Sequence, residues 1–147
     1  MPEIESLLLA NHAESHNGLL YLMGGGWTDV NQVVMPNQPP PPFHFGLGLT
    51  VLVPWTETNR RHHVTILMEE EDGGDPLLRI EADLETGRPP GAVEGTDQRI
   101  VMAFSGEVQF LTPGGYRAVA QLANAQKYAS FRVIHRPAQP QMFQQSA

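Results

Sequence analysis

The sequence predicts an all-β domain, a two-sheet antiparallel β-sandwich of about eight strands with an immunoglobulin-like or C2-like build. Apolar residues recur with a period of two, the mark of strands with one face to a core. No window of twelve or more residues carries a helical stripe to match. Fourteen glycines and thirteen prolines also punctuate the chain too often for long helices.

The elements follow in chain order. A first strand is expected over about residues 4–14 and a second near 19–23. Asn17-Gly18 between them tolerates the positive φ angles of a two-residue hairpin turn. In FHFGLGLTVLV, Phe43, Phe45, Leu47, Leu49, Val51 and Val53 share one face, and His44, Gly46, Gly48 and Thr50 share the other, which is expected to face water. EEDGGDP, residues 70–76, reads as a hairpin connection between strands near 62–69 and 77–84. TPGGY, residues 112–116, reads as another, and YASFRVI belongs to a late strand. Residues 24–42 show no strand pattern. GGGW at 24–27 is not followed by the Lys-Ser/Thr pair of a phosphate loop and reads as a close backbone pass, with Trp27 closing the core edge. Pro39 to Pro42 donate no amide hydrogen, so they form a stiff crossing from one sheet to the other.

A chain of 147 residues makes one domain large enough to bury a core without a staple. Residues 1–136 are assigned to the sandwich and 137–147 to a polar tail whose one apolar pair is Met142-Phe143. With no cysteine, disulfides, thiolate metal sites and thiol catalysis are excluded. The net charge of −7 argues against nucleic acid and anionic membranes as partners. The N-terminus has no basic region and only a short apolar run, so neither a signal peptide nor a membrane span is expected, and the expected setting is cytoplasmic.

Two stretches carry candidate site chemistry. On an extended chain His12, Glu14 and His16 of HAESH project from one face at a spacing of about 7 Å. Two imidazoles and a carboxylate can bind zinc, iron or manganese, although no fourth ligand follows at a fixed spacing and a solvated polar row reads the same way. VPWTETNRRHH, residues 53–63, sets two arginines and two histidines side by side in a chain of acidic balance. As a compact turn it buries Trp55, bonds the Asn59 side chain to backbone within its own loop, and sets Arg60 or Arg61 against Glu57 or an aromatic face. As a recognition surface it offers Trp55, Glu57, Asn59, Arg60 and Arg61 to a partner. The turn is the stronger reading. His62 and His63 are adjacent and so point to opposite faces, which with the missing downstream histidine rules out a cupin centre. The acidic hairpin tip lacks calcium-loop spacing, and no serine sits in a nucleophile elbow.

GLLYLMGGGWTDV, LTVLVPWTETNRRHHVTILMEEEDG, ETGRPPGAVEGTDQRIVMAF and LTPGGYRAVAQL…SFRV follow in this order over nearly the whole chain. In the GGGW and VPWTETNRRH motifs the sequence resembles a family of small uncharacterised bacterial proteins, often actinobacterial, catalogued as a domain of unknown function. The resemblance implies a bacterial cytoplasmic β-sandwich and supplies no activity or site residues. The functional expectation is a non-enzymatic binding or assembly module without a cofactor. It acts by protein–protein contact and forms a homo-oligomer through sheet edges or faces, with the tail packed on a neighbouring subunit. The alternative is a metal-binding protein or metal-dependent enzyme using His12, Glu14 and His16.

Overall fold

The computed structural model describes residues 1–138, so Met142-Phe143 and the expected packing of the tail on a neighbour lie outside the described residues. The described residues form ten strands, two more than expected: β1 (Glu3–Ala10), β2 (His12–His16), β3 (Leu19–Met23), β4 (Asp29–Val34), β5 (Phe43–Val53), β6 (Arg61–Glu70), β7 (Leu78–Glu85), β8 (Gln98–Val108), β9 (Gly114–Leu122) and β10 (Ala125–Pro137). A three-stranded sheet runs β1-β5-β8, a five-stranded sheet runs β4-β10-β9-β6-β7, and β2-β3 form a separate ribbon. The sandwich architecture is as expected.

Four details differ from the sequence reading. The strand over 4–14 breaks at Asn11, whose N–H donates to Met23 O at 3.0 Å and to Gly24 O at 3.2 Å. Residues 24–42 do contain a strand, β4, which lies parallel to β10 in an otherwise antiparallel sheet. No hairpin joins β4 to either sheet neighbourhood, so nothing forces the antiparallel sense on it. TPGGY ends a crossing from the three-stranded to the five-stranded sheet, since β8 and β9 lie in different sheets. The hairpin partner of β9 is β10, turned by Ala123 at φ 52°.

The core fills the space between the two main sheets. Phe45, Leu47, Leu49, Val51 and Val53 of β5 are fully buried, and opposite them lie Val64, Ile66 and Met68 of β6 and Tyr116, Ala118, Ala120 and Leu122 of β9. One end is closed by aromatic rings. Trp27 meets Phe43 and Phe131 edge-on at 5.7 and 5.5 Å, and Phe110 meets Tyr116 at 4.8 Å. Such contacts favour the offset and edge geometries set by the ring quadrupole. Tyr116 keeps its hydroxyl satisfied by donating to Thr112 O at 2.6 Å. The prolines cross between sheets as expected, held where Gln109 and Gln32 donate to the carbonyls of Pro40 and Pro41.

A register shift between Ile4 and Ser6 makes a bulge in β1, which lets Ile4 and Leu7 both enter the core. Glu5, the bulged residue, instead reaches over β5 to Arg99 of β8. The guanidinium donates from Nε and Nη2 to the two carboxylate oxygens at 2.7 and 2.8 Å. That paired contact holds the Glu5 carboxyl below its ordinary pKa. The freed Glu5 carbonyl accepts from Lys127 Nζ at 3.3 Å, which ties β1 to β10 across the sandwich edge.

The outer face of β5 is not open to water as the alternation suggested. The β2-β3 ribbon lies on it, and Gly46 and Gly48 are buried beneath. A Cβ on Gly46 would sit 2.5 Å from Ala13 N and 2.6 Å from His12 C, both backbone atoms that cannot swing aside. Gly46→Ala is therefore expected to lose about 1–3 kcal/mol of stability through overpacking. Denaturant unfolding measures this, and hydrogen exchange should show residues 12–23 as the segment that loosens. Gly87→Ala, whose methyl would meet only Asn59 Oδ1 at 3.4 Å, is the control.

Candidate functional site

The loop after β5 is built from the backbone outward. Pro54 fixes φ at −61° and precedes a single 3₁₀ turn, Trp55–Glu57, in which Glu57 N–H donates to Pro54 O at 2.9 Å. Thr58 is buried and donates its hydroxyl to Trp55 O at 2.8 Å. Arg88, from the connection after β7, then locks the turn. Its guanidinium carbon lies 4.1 Å from the Trp55 ring centroid, Nη2 donates to Trp55 O at 2.8 Å, and Nε donates to Thr58 Oγ1 at 2.8 Å. Stacking plus two fixed donors is a role suited to a planar guanidinium rather than an ammonium.

The expected partners inside this loop are therefore rearranged. Arg88, not Arg60 or Arg61, covers Trp55, which is half-buried rather than substantially buried. Glu57 Oε2 lies 3.1 Å from the Met1 amino group, and Glu57 O accepts from His62 Nε2 at 3.0 Å. Arg61 opens β6 opposite Glu85 on the outer sheet face, so its side chain cannot turn back into the loop. Arg60 and Arg61 are exposed and make no ion pair among the described residues. Asn59 contributes its backbone instead of its side chain. Its φ is 62°, and its N–H donates to Thr86 O at 2.7 Å in the neighbouring connection, not in its own loop. Asparagine is among the few side chains that accept this left-handed conformation.

The second candidate surface is the ribbon. Asn17 and Gly18 have φ 52° and 74°, the expected two-residue turn. Ala13, Leu20 and Leu22 face inward, and the Leu20 and Leu22 methyl groups stand closest to Gly48. On the outer side His12, Glu14 and His16 stand opposite Met23, Tyr21 and Leu19. The predicted trio does come together: Glu14 Oε1 accepts from His12 Nε2 and Glu14 Oε2 from His16 Nε2, both at 3.0 Å. These bonds, with the His12 contact first, hold the Glu14 carboxyl below its ordinary pKa. The carboxylate sits between the rings, and among the described residues no three His, Asp or Glu side chains are disposed to hold a metal ion. Beside the trio runs a shallow groove of about 600 Å³ lined by Glu14, His16, Leu20, Tyr21, Leu22 and Met23.

The outer row Leu19, Tyr21 and Met23 was missed by the sequence reading, as was Arg88. The signal for the row was present, because LLYLM is apolar at every position and so cannot have a polar outer face. Arg88 carried no such signal, since only folding brings it across to residue 55.

His63 stands alone on the opposite side of the molecule, facing outward while His62 turns inward. Its Nδ1 lies 2.8 Å from Asp83 Oδ1 and its Nε2 3.3 Å from Glu81 Oε1. Glu81 also accepts from Arg79 Nη2 at 2.9 Å. The Asp83 bond, then the Glu81 bond, raises the His63 pKa above its ordinary value.

In these features the chain is an all-β sandwich module with a two-stranded ribbon laid on one outer face. It belongs to the family of unknown function DUF6941, which matches residues 5–134. No curated protein and no solved structure matches the chain. No helix among the described residues is long and apolar enough to cross a membrane.

Two outcomes follow from these contacts. Arg88→Ala should destabilise the protein by about 1–2 kcal/mol, from the lost stack and the two lost hydrogen bonds to Thr58 Oγ1 and Trp55 O, and Arg88→Lys should restore little of it. Thermal unfolding of the two variants checks this. For His63, an NMR titration should place its midpoint above that of an unperturbed histidine, and Asp83→Asn should bring it down. Because the folded pKa is the higher one, the stabilisation is complete below the unfolded pKa and is lost as pH rises through the folded value. The stability gap between the wild type and His63→Gln should narrow over that same interval.

Proposed function

We propose that the protein is a non-enzymatic binding and assembly module that acts by protein–protein contact, with a second copy of its own chain as the partner. The contact surface is the exposed strand β3 of the β2-β3 ribbon. The observation that carries this reading is the apolar row on β3: Leu19, Tyr21 and Met23 are 58, 50 and 66% exposed, side by side on a strand whose other face already packs on the sheet below. Clustered exposed apolar side chains mark contact surfaces, whereas single ones are ordinary.

Charge supports the choice of a second copy. Two chains of net charge −7 repel one another, so they approach best where each is least acidic. The ribbon, residues 12–23, holds one carboxylate, two histidines and no lysine or arginine. The cytoplasmic setting and bacterial source implied by the family resemblance belong to the same reading.

Light scattering on the full chain, from low micromolar to several hundred micromolar, tests it. A dimer or larger assembly is expected, with an interface of at least about 1,000 Å². The double variant Leu19→Lys, Met23→Lys changes two exposed positions, so it should keep the fold by circular dichroism and run as a monomer. A wild-type monomer throughout that range rejects the reading.

A further inference from the structure

We infer that two copies join along the free edge of β3, antiparallel, about a two-fold axis at Tyr21, an inference that rests on the self-association reading above. Its starting point is the state of each sheet edge. An unpaired edge strand offers a row of N–H and C=O groups to any other strand unless charge, proline or a bulge blunts it. β1 carries Glu3, Glu5 and the bulge. β8 carries Arg99 and Glu107, and β7 carries Arg79, Glu81, Asp83 and Glu85. β4 begins at Asp29 and runs out towards Pro36 and the proline stretch. β2 carries Glu14 and its backbone touches the sheet beneath at Gly46.

β3 has none of these protections. Leu19–Met23 contains no charge, no proline and no bulge, and among the described residues β2 is its only strand partner. Where β2 meets β5 through backbone atoms, β3 meets Gly48 through the ends of the Leu20 and Leu22 side chains. The edge of β3 away from β2 pairs with no strand among the described residues.

The register follows from the hairpin. A two-residue turn makes His16 and Leu19 a hydrogen-bonded pair, and the pairs then alternate. Leu19, Tyr21 and Met23 therefore bond to β2, while Leu20 and Leu22 turn their N–H and C=O groups to the free edge. Two such edges match when Leu20 of each copy faces Leu22 of the other, which gives about four backbone hydrogen bonds. In that register Tyr21 faces Tyr21 across the axis and Leu19 faces Met23, so all five residues pair and the exposed row of one copy lies against the row of the other. Any register shifted by two residues leaves part of the strand unpaired. The contact is isologous and closes on itself, so it yields a dimer rather than a filament.

The chain has no cysteine, which makes the register directly readable. Tyr21 and its mate occupy a non-hydrogen-bonded site with Cα atoms about 4.5 Å apart, within the range a disulfide spans. Leu19 and its own mate are roughly 14 Å apart, as are Met23 and its mate. Single-cysteine variants Tyr21→Cys, Leu19→Cys and Met23→Cys are exposed to dissolved oxygen and followed on non-reducing gels. Tyr21→Cys should form a covalent dimer roughly tenfold or more faster than either of the others, because its partner thiol is held at high effective concentration. Leu19→Cys and Met23→Cys, which both keep Tyr21, should cross-link to each other when mixed and not when separate. If either cross-links alone as fast as Tyr21→Cys, or if neither Tyr21→Cys nor the mixture cross-links while light scattering still shows an assembly, the β3 pairing is overturned and self-association stands. If all chains, wild type included, are monomers by light scattering, both fall.

Discussion

A ribbon of two short strands is barely stable in water by itself, and this one persists because β5 turns two glycines towards it. Gly46 and Gly48 remove the side chains that would otherwise hold the ribbon away, so the backbone of β2 rests directly on β5 and two leucines of β3 fill the remaining space. The break at Asn11, the return of the chain along Gly24 and Gly26, and the outward row of Leu19, Tyr21 and Met23 all follow from that close approach.

The same strand organises the other side. Its inward residues are the centre of the core, while Glu5 and Arg99 reach across its outer face from the strands on either side. With Leu7 and Leu9 facing the core, a regular β1 would turn residue 5 inward in place of Ile4, so the bulge is what leaves Glu5 outside to meet Arg99. A backbone irregularity and a surface ion pair are thus one feature. The turn at residues 54–59 shows the same economy, with Arg88 supplying both the cover for Trp55 and the donors for its carbonyl and for Thr58.

The fold class, the Asn17-Gly18 and EEDGGDP hairpins, the core face of β5 and the opposite facing of His62 and His63 were all legible in the sequence. Each depends on neighbours a few residues apart, where alternation and turn chemistry act. What was not legible depends on residues distant in the chain. Gly46 and Gly48 read as solvent-facing because the segment that covers them lies some thirty residues earlier. β4 was hidden because its pattern is polar at Asn31 and Gln32, and its strand identity comes from β10. Of the proposed loop contacts, Trp55 does meet an arginine, but the one that reaches it comes from beyond β7. The HAESH trio was legible as a group sharing one face, and the hydrogen-bonded arrangement around Glu14 was not, because alternation fixes direction and leaves side-chain rotamers open.

The parallel pairing of β4 with β10 has a consequence for the order of events during synthesis. β4 emerges early, but its strand neighbour follows more than a hundred residues later, and β10 must slot between β4 and β9. Until then a growing chain can close the β2-β3 turn and the β6-β7 hairpin, both local, while β4 has nothing to bond. Contacts of such long sequence separation form slowly, because loop-closure entropy is lost before they return anything. The nascent chain therefore passes through a stage in which an unfinished five-stranded sheet is open between β4 and β9, and β10 acts as the keystone.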